Sequence, residues 1–334
     1  MAEDIKMEIK ITVIIPCYNM EGKIHRLMDS LLAQTTKCFV VYVIDDGSKD
    51  KSREVVENYI PRFESIGVKL NYIYQQNAGV SSAVNNGLSR IRTEFFCLPD
   101  ADDFLEMTYL EECVNYLSSH CDCGVVFTQC NVFKDGRMNS PTGILQRKDK
   151  FDTDTESIFI DFIWGHNVYY CPDYMIRTKD FLQANGSMQI ESGRYGQNYQ
   201  MLLPIVYYYK CGYIEKPLYN YVIYKQSISH GHRTLQQRLN SIEGGIISLH
   251  ETVRTMSLPE KKTEWLHYII EQKNNIQKAL VACEYGDRKL LEDNYINIDQ
   301  KYLTSRLKLL YYFRYMPFSL YCFSYIMKLR NMLR

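Results

Sequence analysis

The sequence predicts an α/β protein: a twisted, mostly parallel sheet with flanking helices, followed by a C-terminal helical extension. Three observations lead to this prediction. Short β-rich apolar runs alternate with segments of helical periodicity over the first hundred residues, polar clusters follow each predicted strand, and helical patterns dominate the last third of the chain. Such alternation favours parallel strands joined by right-handed crossovers.

Apolar runs identify the first two strands. Lys10–Ile15 (KITVII) is rich in β-branched residues and stops at Pro16, and Phe39–Ile44 (FVVYVI) has the continuous apolar character of a strand covered on both faces. A helix is expected between them, because apolar residues recur there at helical spacing. These residues are Ile24, Leu27, Met28, Leu31 and Leu32.

The alternation continues through four further elements and then loosens. The next elements are predicted as a helix near Lys51–Phe63, a strand at Leu70–Tyr74, a helix marked by Val80, Val84, Leu88 and Ile91, and a strand at Phe95–Leu98. Beyond them we expect a helix at Leu105–Leu117, a strand at Gly124–Gln129, helices over 240–280, and basic amphipathic helices over Tyr302–Arg334 that break near Pro317.

Composition excludes several classes of protein. The 334 residues carry 39 basic and 39 acidic side chains, so the chain is not a globally basic nucleic-acid binder. The charge is unevenly distributed: residues 101–200 hold 8 basic and 15 acidic side chains, and residues 301–334 hold 7 basic and none acidic. The start lacks the apolar core of a signal peptide, and the eleven cysteines lack zinc spacing, so we expect a cytoplasmic protein with reduced cysteines.

Four polar clusters point to one site. They are Pro16–Asn19, Asp45–Ser48, Gln75–Gly79 and Asp100–Asp103, and each follows a predicted strand. In an open α/β sheet, ligands bind in the crevice outside the carboxyl ends of the strands. We therefore expect the four clusters to surround a single ligand.

The cluster Asp100-Ala101-Asp102-Asp103 is the most informative. Residues i and i+2 of an extended segment project to the same side, so Asp100 and Asp102 would face one cleft. Paired carboxylates are costly to bury without a cation, and Mg²⁺ or Mn²⁺ prefers such oxygen ligands. The alternative is that these residues cap the helix expected near Leu105, and we predict that role for Asp103. Asp50 is the predicted cap of the second helix.

At this point the motifs resemble those of family 2 glycosyltransferases, which have the GT-A fold. The matching stretches are VIIPCYNME, VIDDGSKD, NAGVSSAVNNG and PDADD, in family order over Ile11–Asp103. The resemblance implies transfer of a sugar, with inversion, from a nucleotide donor that is usually UDP-linked. It implies a nucleotide-sugar-binding half at 1–105, an acceptor-binding half at 106–235, and a C-terminal helical region with a basic tail at 236–334.

The resemblance also implies roles for individual residues. Pro16, Tyr18 and Glu21 would border the base and ribose, and Asp46, beside Asp45, would contact the base. Asn77 and Gly79 would line the nucleotide, Asp100 would reach the ribose, and Asp102 would bind the metal, Mn²⁺ or Mg²⁺, on the diphosphate. His230, in a segment similar to the family's closing loop, would be a further metal ligand or a hydrogen-bond donor to the phosphates.

Two departures from the family pattern stand out. The third motif usually reads A-R-N-x-G, but position 84 holds valine. Either another cation supplies the missing positive charge, or the metal neutralises more of the diphosphate charge, or the protein is weakly active or degenerate. The candidate cations are Lys49, Lys51, Arg53, His232 and Arg233. The second departure is that Gln197-Asn198 stands where an E-D pair usually supplies the base. Amides cannot take a proton.

The nearest carboxylate, Glu191, is therefore the expected base, and Asp173 is the second choice. Gln197 and Asn198 would instead bind hydroxyls of the acceptor or donor. Trp164 would line the acceptor pocket, although core packing explains it equally well.

The predicted function is metal-dependent addition of a hexose or N-acetylhexosamine to a glycan or lipid-linked acceptor in surface polysaccharide synthesis. The basic aromatic tail would lie on the inner membrane surface, or else pack on the catalytic domain or in a homodimer. One alternative is a non-catalytic nucleotide-sugar-binding or scaffold protein. A sugar nucleotidyltransferase is less favoured, because its glycine-rich, lysine-bearing loop after the first strand is absent.

Overall fold

The computed structural model describes residues 8–146, 155–165, 171–191, 197–224 and 234–315. It divides the chain into two compact units, Met1–Gly231 and His232–Arg334. The predicted boundaries at residues 105 and 235 stay predictions.

The described part of the first unit contains nine strands in one sheet. The strands are β1 (Ile11–Cys17), β2 (Phe39–Asp45), β3 (Lys69–Tyr74), β4 (Phe95–Cys97), β5 (Phe104–Leu105), β6 (Cys123–Lys134), β7 (Gly143–Leu145), β8 (Tyr174–Arg177) and β9 (Lys210–Ile223). Their order across the sheet is β3-β2-β1-β4-β8-β6-β9-β5, and β7 pairs with β6.

Seven helices accompany these strands in the described part of this unit. They are α1 (His25–Leu32), α2 (Ser52–Glu64), α3 (Val80–Leu88), α4 (Tyr109–Ser119), α5 (Thr155–Trp164), α6 (Thr178–Asn185) and α7 (Gln197–Tyr208).

The first half of the sheet is parallel, as the sequence predicts. Ile11 of β1 pairs with Phe39 of β2 and with Phe95 of β4, and β3 adds to β2 in the same direction. The strand β1 runs through Pro16, where the sequence predicts an end. It pairs with β2 as far as Cys17 but with β4 only as far as Val13. Proline lacks the N–H for a ladder bond, and it is tolerated where a strand has a free side.

The second half of the sheet is mixed. β8 is antiparallel to both β4 and β6, β9 is parallel to β6, and β5 is antiparallel to β9. The predicted helix at Leu105–Leu117 therefore begins too early. Phe104 and Leu105 pair with β9, and α4 begins only at Tyr109.

The core lies on both sides of the parallel half. Every residue of β1 except Pro16 is buried, and α1 contributes Leu27, Met28 and Leu31. Helix α3 lies very close to β1, because a Cβ built on Gly87 would stand 2.3 Å from Cγ2 of Ile14. Only glycine fits this contact without a shift of the helix.

The described part of the second unit is helical, as the sequence predicts, and the predicted break near Pro317 lies outside the described residues. Its elements are α8 (Leu235–Thr255), α9 (Glu260–Tyr285), α10 (Arg288–Tyr295), a 3₁₀ turn (Gln300–Tyr302) and α11 (Ser305–Tyr312). Thr234 and Gln237 form a reciprocal capping box at the start of α8, and Asp287 caps α10. Within the described ranges no helix is long and apolar enough to cross a bilayer.

Candidate functional site

The loops after β1 and β2 are tied together by side-chain hydrogen bonds to backbone amides. Asn19, at a positive φ of 55°, accepts from the amide of Lys49 at 2.8 Å, and its own amide donates to Ser48 Oγ at 2.9 Å. Glu21 Oε2 accepts from the amide of Lys51 at 2.8 Å, and the Glu21 amide donates to Asp50 at 3.0 Å. Glu21 therefore links the two loops in this structure.

Asp50 is the residue before Lys51, which is the N-cap of α2, so the predicted cap is displaced by one position. Asp50 Oδ1 accepts from the amide and the hydroxyl of Ser52, the first residue of that helix. These bonds hold the carboxylate in its charged form and lower the pKa of Asp50 despite partial burial.

Asp46 holds the third loop. It is 4% exposed, and it accepts from the amides of Ala78 (2.9 Å) and Gly79 (2.8 Å) and from Gln75 Nε2 (2.8 Å). Gly47, at φ +78°, makes the crossing possible, because a Cβ there would lie 2.8 Å from the Asn77 nitrogen. A carboxylate offers about four lone-pair sites, so three bonds leave Asp46 one acceptor for a ligand.

Asp45 is buried and holds the loop after β2 to β3. It is 1% exposed and accepts from the amide of Ser48 at 2.7 Å and from the hydroxyl of Tyr72 at 2.5 Å. Burial and the neighbouring carboxylate raise the pKa of Tyr72, so this phenol stays a donor. Tyr18 and Asn77 are exposed beside these tied loops, and Pro16 and Gly79 are partly exposed. These are the surfaces that a nucleotide could touch.

Asp103 is not a helix cap, contrary to the prediction. It is 1% exposed, its Oδ1 accepts from the amide of Val222 at 2.8 Å, and its Oδ2 accepts from the Tyr219 hydroxyl at 2.8 Å. The same hydroxyl accepts from the amide of Asp100 at 3.2 Å. Asp103 therefore ties the acidic turn to β9, because the pairing of β5 with β9 displaces the expected helix start.

Asp100 and Asp102 remain for a ligand. Asp100 is solvent-exposed and yet surrounded by protein atoms, as expected for a group at the base of an open cleft. Burial and the charge of Asp102 raise the pKa of Asp100 to about 7. Burial also raises the pKa of Asp102, an effect that the ammonium of Lys23 opposes. A cation placed between these carboxylates would restore both charges.

This donor set fits a hard divalent cation. Among the described residues no group of three or more His, Cys, Asp or Glu side chains forms a complete metal cage. Mg²⁺ and related ions usually keep several waters and bind phosphate oxygens, so one or two carboxylates suffice. Asp102, with Asp100, could hold such an ion. The predicted ligand His230 lies outside the described residues, as do His232 and Arg233.

The third motif connects to the segment that carries Glu191. Asn85 of α3 donates to the Ile190 carbonyl at 2.7 Å and accepts from the Ile190 amide at 2.8 Å. Glu191 is exposed next to this anchor, whereas Asp173 is 1% exposed. Asn85 carries no predicted role, although a polar residue within an apolar helical pattern is a signal for one.

The remaining predicted residues lie on helices of the second half. Gln197 and Asn198 begin α7, and Trp164 ends α5; all three are partly exposed. Their part in acceptor or donor binding stays a prediction. Val84 is 2% exposed within α3 and has no polar atom to offer a ligand.

Comparison with known proteins points to one family. The model of the family described as Glycosyl transferase family 2 matches residues 12–177. Glycosyltransferase GlyA of Streptococcus pneumoniae serotype 4 is 38% identical over 102 residues, which is 30% of this chain and 14% of GlyA. The chain spans less than two-thirds of the length of the curated relatives that it matches first.

Solved structures share the fold. The crystal structure of S. aureus TarS 1–349 in complex with UDP-GlcNAc matches with a TM-score of 0.62 at 17% identity, covering 91% of this chain and 87% of that chain. The mannosyltransferase PcManGT from Pyrobaculum calidifontis, in complex with GDP-Man and Mn²⁺, matches with a TM-score of 0.55 at 14% identity, covering 96% and 88%. The predicted GT-A fold is confirmed.

Proposed function

This chain belongs to glycosyl transferase family 2, and from that membership we propose that it transfers a sugar from a nucleotide-diphosphate donor to an acceptor hydroxyl. One observation supports this most strongly. The exposed Asp100 and the partly exposed Asp102 stand at the carboxyl end of β4, in the same parallel half-sheet that carries the three tied loops after β1, β2 and β3. A carboxylate pair beside a nucleotide-sized loop scaffold is suited to a sugar nucleotide with its cation.

The proposed donor is UDP-linked. TarS was crystallised with UDP-GlcNAc and with UDP, and PcManGT with GDP-Man, so sugar nucleotides of different bases bind this fold. In this chain Tyr18 offers an exposed ring for a base, Asn77 an exposed amide, and Asp46 one remaining acceptor for a base N–H. A hexose or an N-acetylhexosamine is the proposed sugar.

The proposed cofactor is Mn²⁺ or Mg²⁺, held by Asp102 with Asp100. Such an ion, when bound, neutralises the charge that develops on the leaving diphosphate. The protein contributes a rigid seat: Tyr219 and Asp103 fix the backbone of the turn, so the two carboxylates need little reorganisation to receive the cation.

The proposed base is Glu191. Its carboxylate takes the proton of the acceptor hydroxyl while the acceptor oxygen bonds to the anomeric carbon and the bond from that carbon to the diphosphate oxygen breaks. Attack opposite the leaving group inverts the anomeric configuration. Asn85 would hold Glu191 in place through Ile190, and Gln197 and Asn198 would bind sugar hydroxyls.

The proposed acceptor is a glycan or a lipid-linked oligosaccharide of surface polysaccharide synthesis at the inner membrane face. Leu309, Tyr312 and Tyr315 are exposed on and after α11, and Lys308 is exposed beside them. Apolar and basic side chains together favour binding to an anionic bilayer. A homodimer that covers the same face is the competing interpretation.

Ligand binding and turnover test the proposal separately. We expect UDP to bind in a calorimeter with Mn²⁺ and to bind much more weakly with EDTA, and we expect a panel of nucleotide sugars to yield at least one that is hydrolysed or transferred. Asp102→Asn should remove the metal dependence of UDP binding. Metal-dependent binding without any turnover would favour a nucleotide-sugar-binding scaffold, and absence of metal-dependent UDP binding would reject the proposed donor site.

A further inference from the structure

Two basic side chains, one from the turn before α1 and one from its first turn, lie beside the acidic turn. The Lys23 ammonium is 3.7 Å from Asp102 Oδ2 and 4.1 Å from the centre of the Tyr224 ring. The Arg26 guanidinium donates to the Tyr224 hydroxyl, and that hydroxyl donates to the Asp102 carbonyl at 3.2 Å. These contacts place positive charge beside the acidic turn. They join Lys23 to Asp102, about 80 positions later in the chain, and Arg26 to Tyr224, about 200 positions later.

The position that carries arginine in the family pattern cannot provide this charge. Val84 is 2% exposed and apolar, so α3 presents no cation there. A nucleoside diphosphate carries two to three negative charges, and charge-assisted hydrogen bonds are the strongest polar contacts available to bind them. Another cation close to the carboxylates that would hold the metal could supply the missing charge.

The Lys23 ion pair is loose and exchangeable. A separation of 3.7 Å exceeds that of a direct N–H···O hydrogen bond, and the Lys23 side chain is 35% exposed. Lysine carries its charge on a flexible stem of four carbons, so its ammonium can leave Asp102 for a nearby stronger anion at little cost. Arg26 differs, since its bond to Tyr224 fixes the ring beneath Lys23.

We propose that Lys23 donates to the diphosphate of the nucleotide donor, in place of the arginine that the family pattern has at position 84. In the free protein Lys23 rests against Asp102 and the Tyr224 ring. With the donor bound, its ammonium contacts a phosphate oxygen, and Arg26 and Tyr224 act as positioning residues. This inference rests on the proposed function, because it requires a diphosphate beside Asp102.

The test compares ligands with and without phosphate on the full chain with excess Mn²⁺. We expect Lys23→Met to weaken UDP binding by about tenfold or more and uridine binding by less than about twofold, since one charge-assisted bond is lost. Lys23→Arg should keep most of the UDP affinity. The matched control is Lys69→Met: Lys69 is exposed at the start of β3, the end of that strand away from the predicted ligand loops, and makes no ion pair within the described ranges.

The outcomes separate this inference from the proposed function. Wild-type protein that binds no UDP rejects the donor class and this role with it. Normal wild-type binding, together with a Lys23→Met loss no larger than that of Lys69→Met, overturns only the role of Lys23. An equal loss for UDP and uridine also overturns it, because a contact to phosphate cannot weaken uridine. The salt dependence of UDP affinity should be smaller in Lys23→Met than in wild type.

Discussion

Tyr219 shows how one side chain can organise a ligand site that it does not line. Its hydroxyl accepts from the Asp100 amide and donates to Asp103, and its ring packs edge-on against Tyr109 with centroids 6.3 Å apart. Burial and both carboxylates raise the pKa of Tyr219, so the phenol remains protonated. The buried Asp103 is consequently a structural anchor, which leaves Asp100 and Asp102 to meet a cation.

The raised pKa of Asp100 makes a prediction about metal affinity. Metal competes with a proton for this carboxylate, and the proton is half bound near pH 7 in the metal-free protein. We therefore expect the Mn²⁺ affinity in the presence of UDP to rise by about tenfold between pH 6 and pH 8, the direction that deprotonation requires. Titration followed by the Mn²⁺ paramagnetic resonance signal measures it.

Asp100→Asn is the control for this prediction. The amide keeps the size of the side chain but cannot titrate, so its Mn²⁺ affinity should be weaker than that of wild type and nearly flat over the same pH range. A wild-type affinity that does not change from pH 6 to pH 8 would contradict the assignment of Asp100 as the titrating neighbour of the metal.

At the scale of elements, α3 serves two sides of the site through adjacent residues. Asn85 holds Ile190 next to the proposed base, and Asn86 donates to Gln75 Oε1 at 2.7 Å, in the loop that Asp46 also grips. One short helix thus connects the donor loop with the Glu191 segment. Asn85 supports the segment of the proposed base, and Asn86 supports the proposed nucleotide loop. Substituting each in turn therefore compares the two functions.

Substitution of these neighbours should separate chemistry from binding. Asn85→Ala removes both bonds to Ile190, so we expect kcat to fall by about tenfold or more while the UDP affinity changes little. Asn86→Ala loosens the Gln75 loop, so we expect UDP affinity to fall by severalfold. Steady-state kinetics and UDP calorimetry on both variants measure the split, and the reverse pattern would contradict the proposed role of Glu191.

The close contact of α3 with β1 predicts that alanine in place of Gly87 destabilises the protein, although alanine usually stabilises a helix. Alanine is normally favoured over glycine within a helix by about 0.5–1 kcal/mol. At Gly87 the added methyl would meet Ile14, a buried β-branched residue that cannot move aside, and overpacking costs about 1–3 kcal/mol. We expect Gly87→Ala to lower the free energy of unfolding in urea. Gly143→Ala, whose methyl would meet no atom within 4 Å, should be close to neutral.

The sequence predicts the local elements far better than the distant pairings. The first three β–α units follow from continuous apolar runs and helical spacing, both of which are local signals. The short strand β5 was missed because Phe104 and Leu105 form it only by pairing with β9, more than a hundred residues later. The same holds at the site: strand ends locate Asp100 and Asp102, but nothing local connects Lys23 with Tyr224.

At the scale of the whole molecule, net neutrality conceals a separation of charge along the chain. The acidic turn and the acidic stretch 101–200 precede a tail in which residues 301–334 have 7 basic and no acidic side chains. A cation site needs local negative charge, and an anionic membrane surface attracts positive charge. The two requirements are met in different parts of one chain. The net charge of zero therefore predicts neither the cation site nor the membrane-binding tail.

Membrane binding can be tested by a truncation that spares the second unit. Leu307 is 1% exposed in the core that α9, α10 and α11 share, so a deletion from residue 301 would damage the fold. Deletion of 316–334 removes no residue of that core and takes away Lys328, Arg330 and Arg334. Each basic residue near an anionic surface contributes about 1 kcal/mol, so we expect recovery with phosphatidylglycerol vesicles to fall by about tenfold or more in flotation.

Charge and packing make different predictions for the controls. Replacing the three basic residues by glutamine in the full chain should reproduce most of the loss if electrostatic attraction dominates, and neutral phosphatidylcholine vesicles should recover little of either protein. Raising the salt concentration should release the wild-type protein, because screening weakens attraction between exposed charges. Unchanged recovery after truncation, together with a change from dimer to monomer in sedimentation, would replace the membrane proposal with an interface between two copies of the chain.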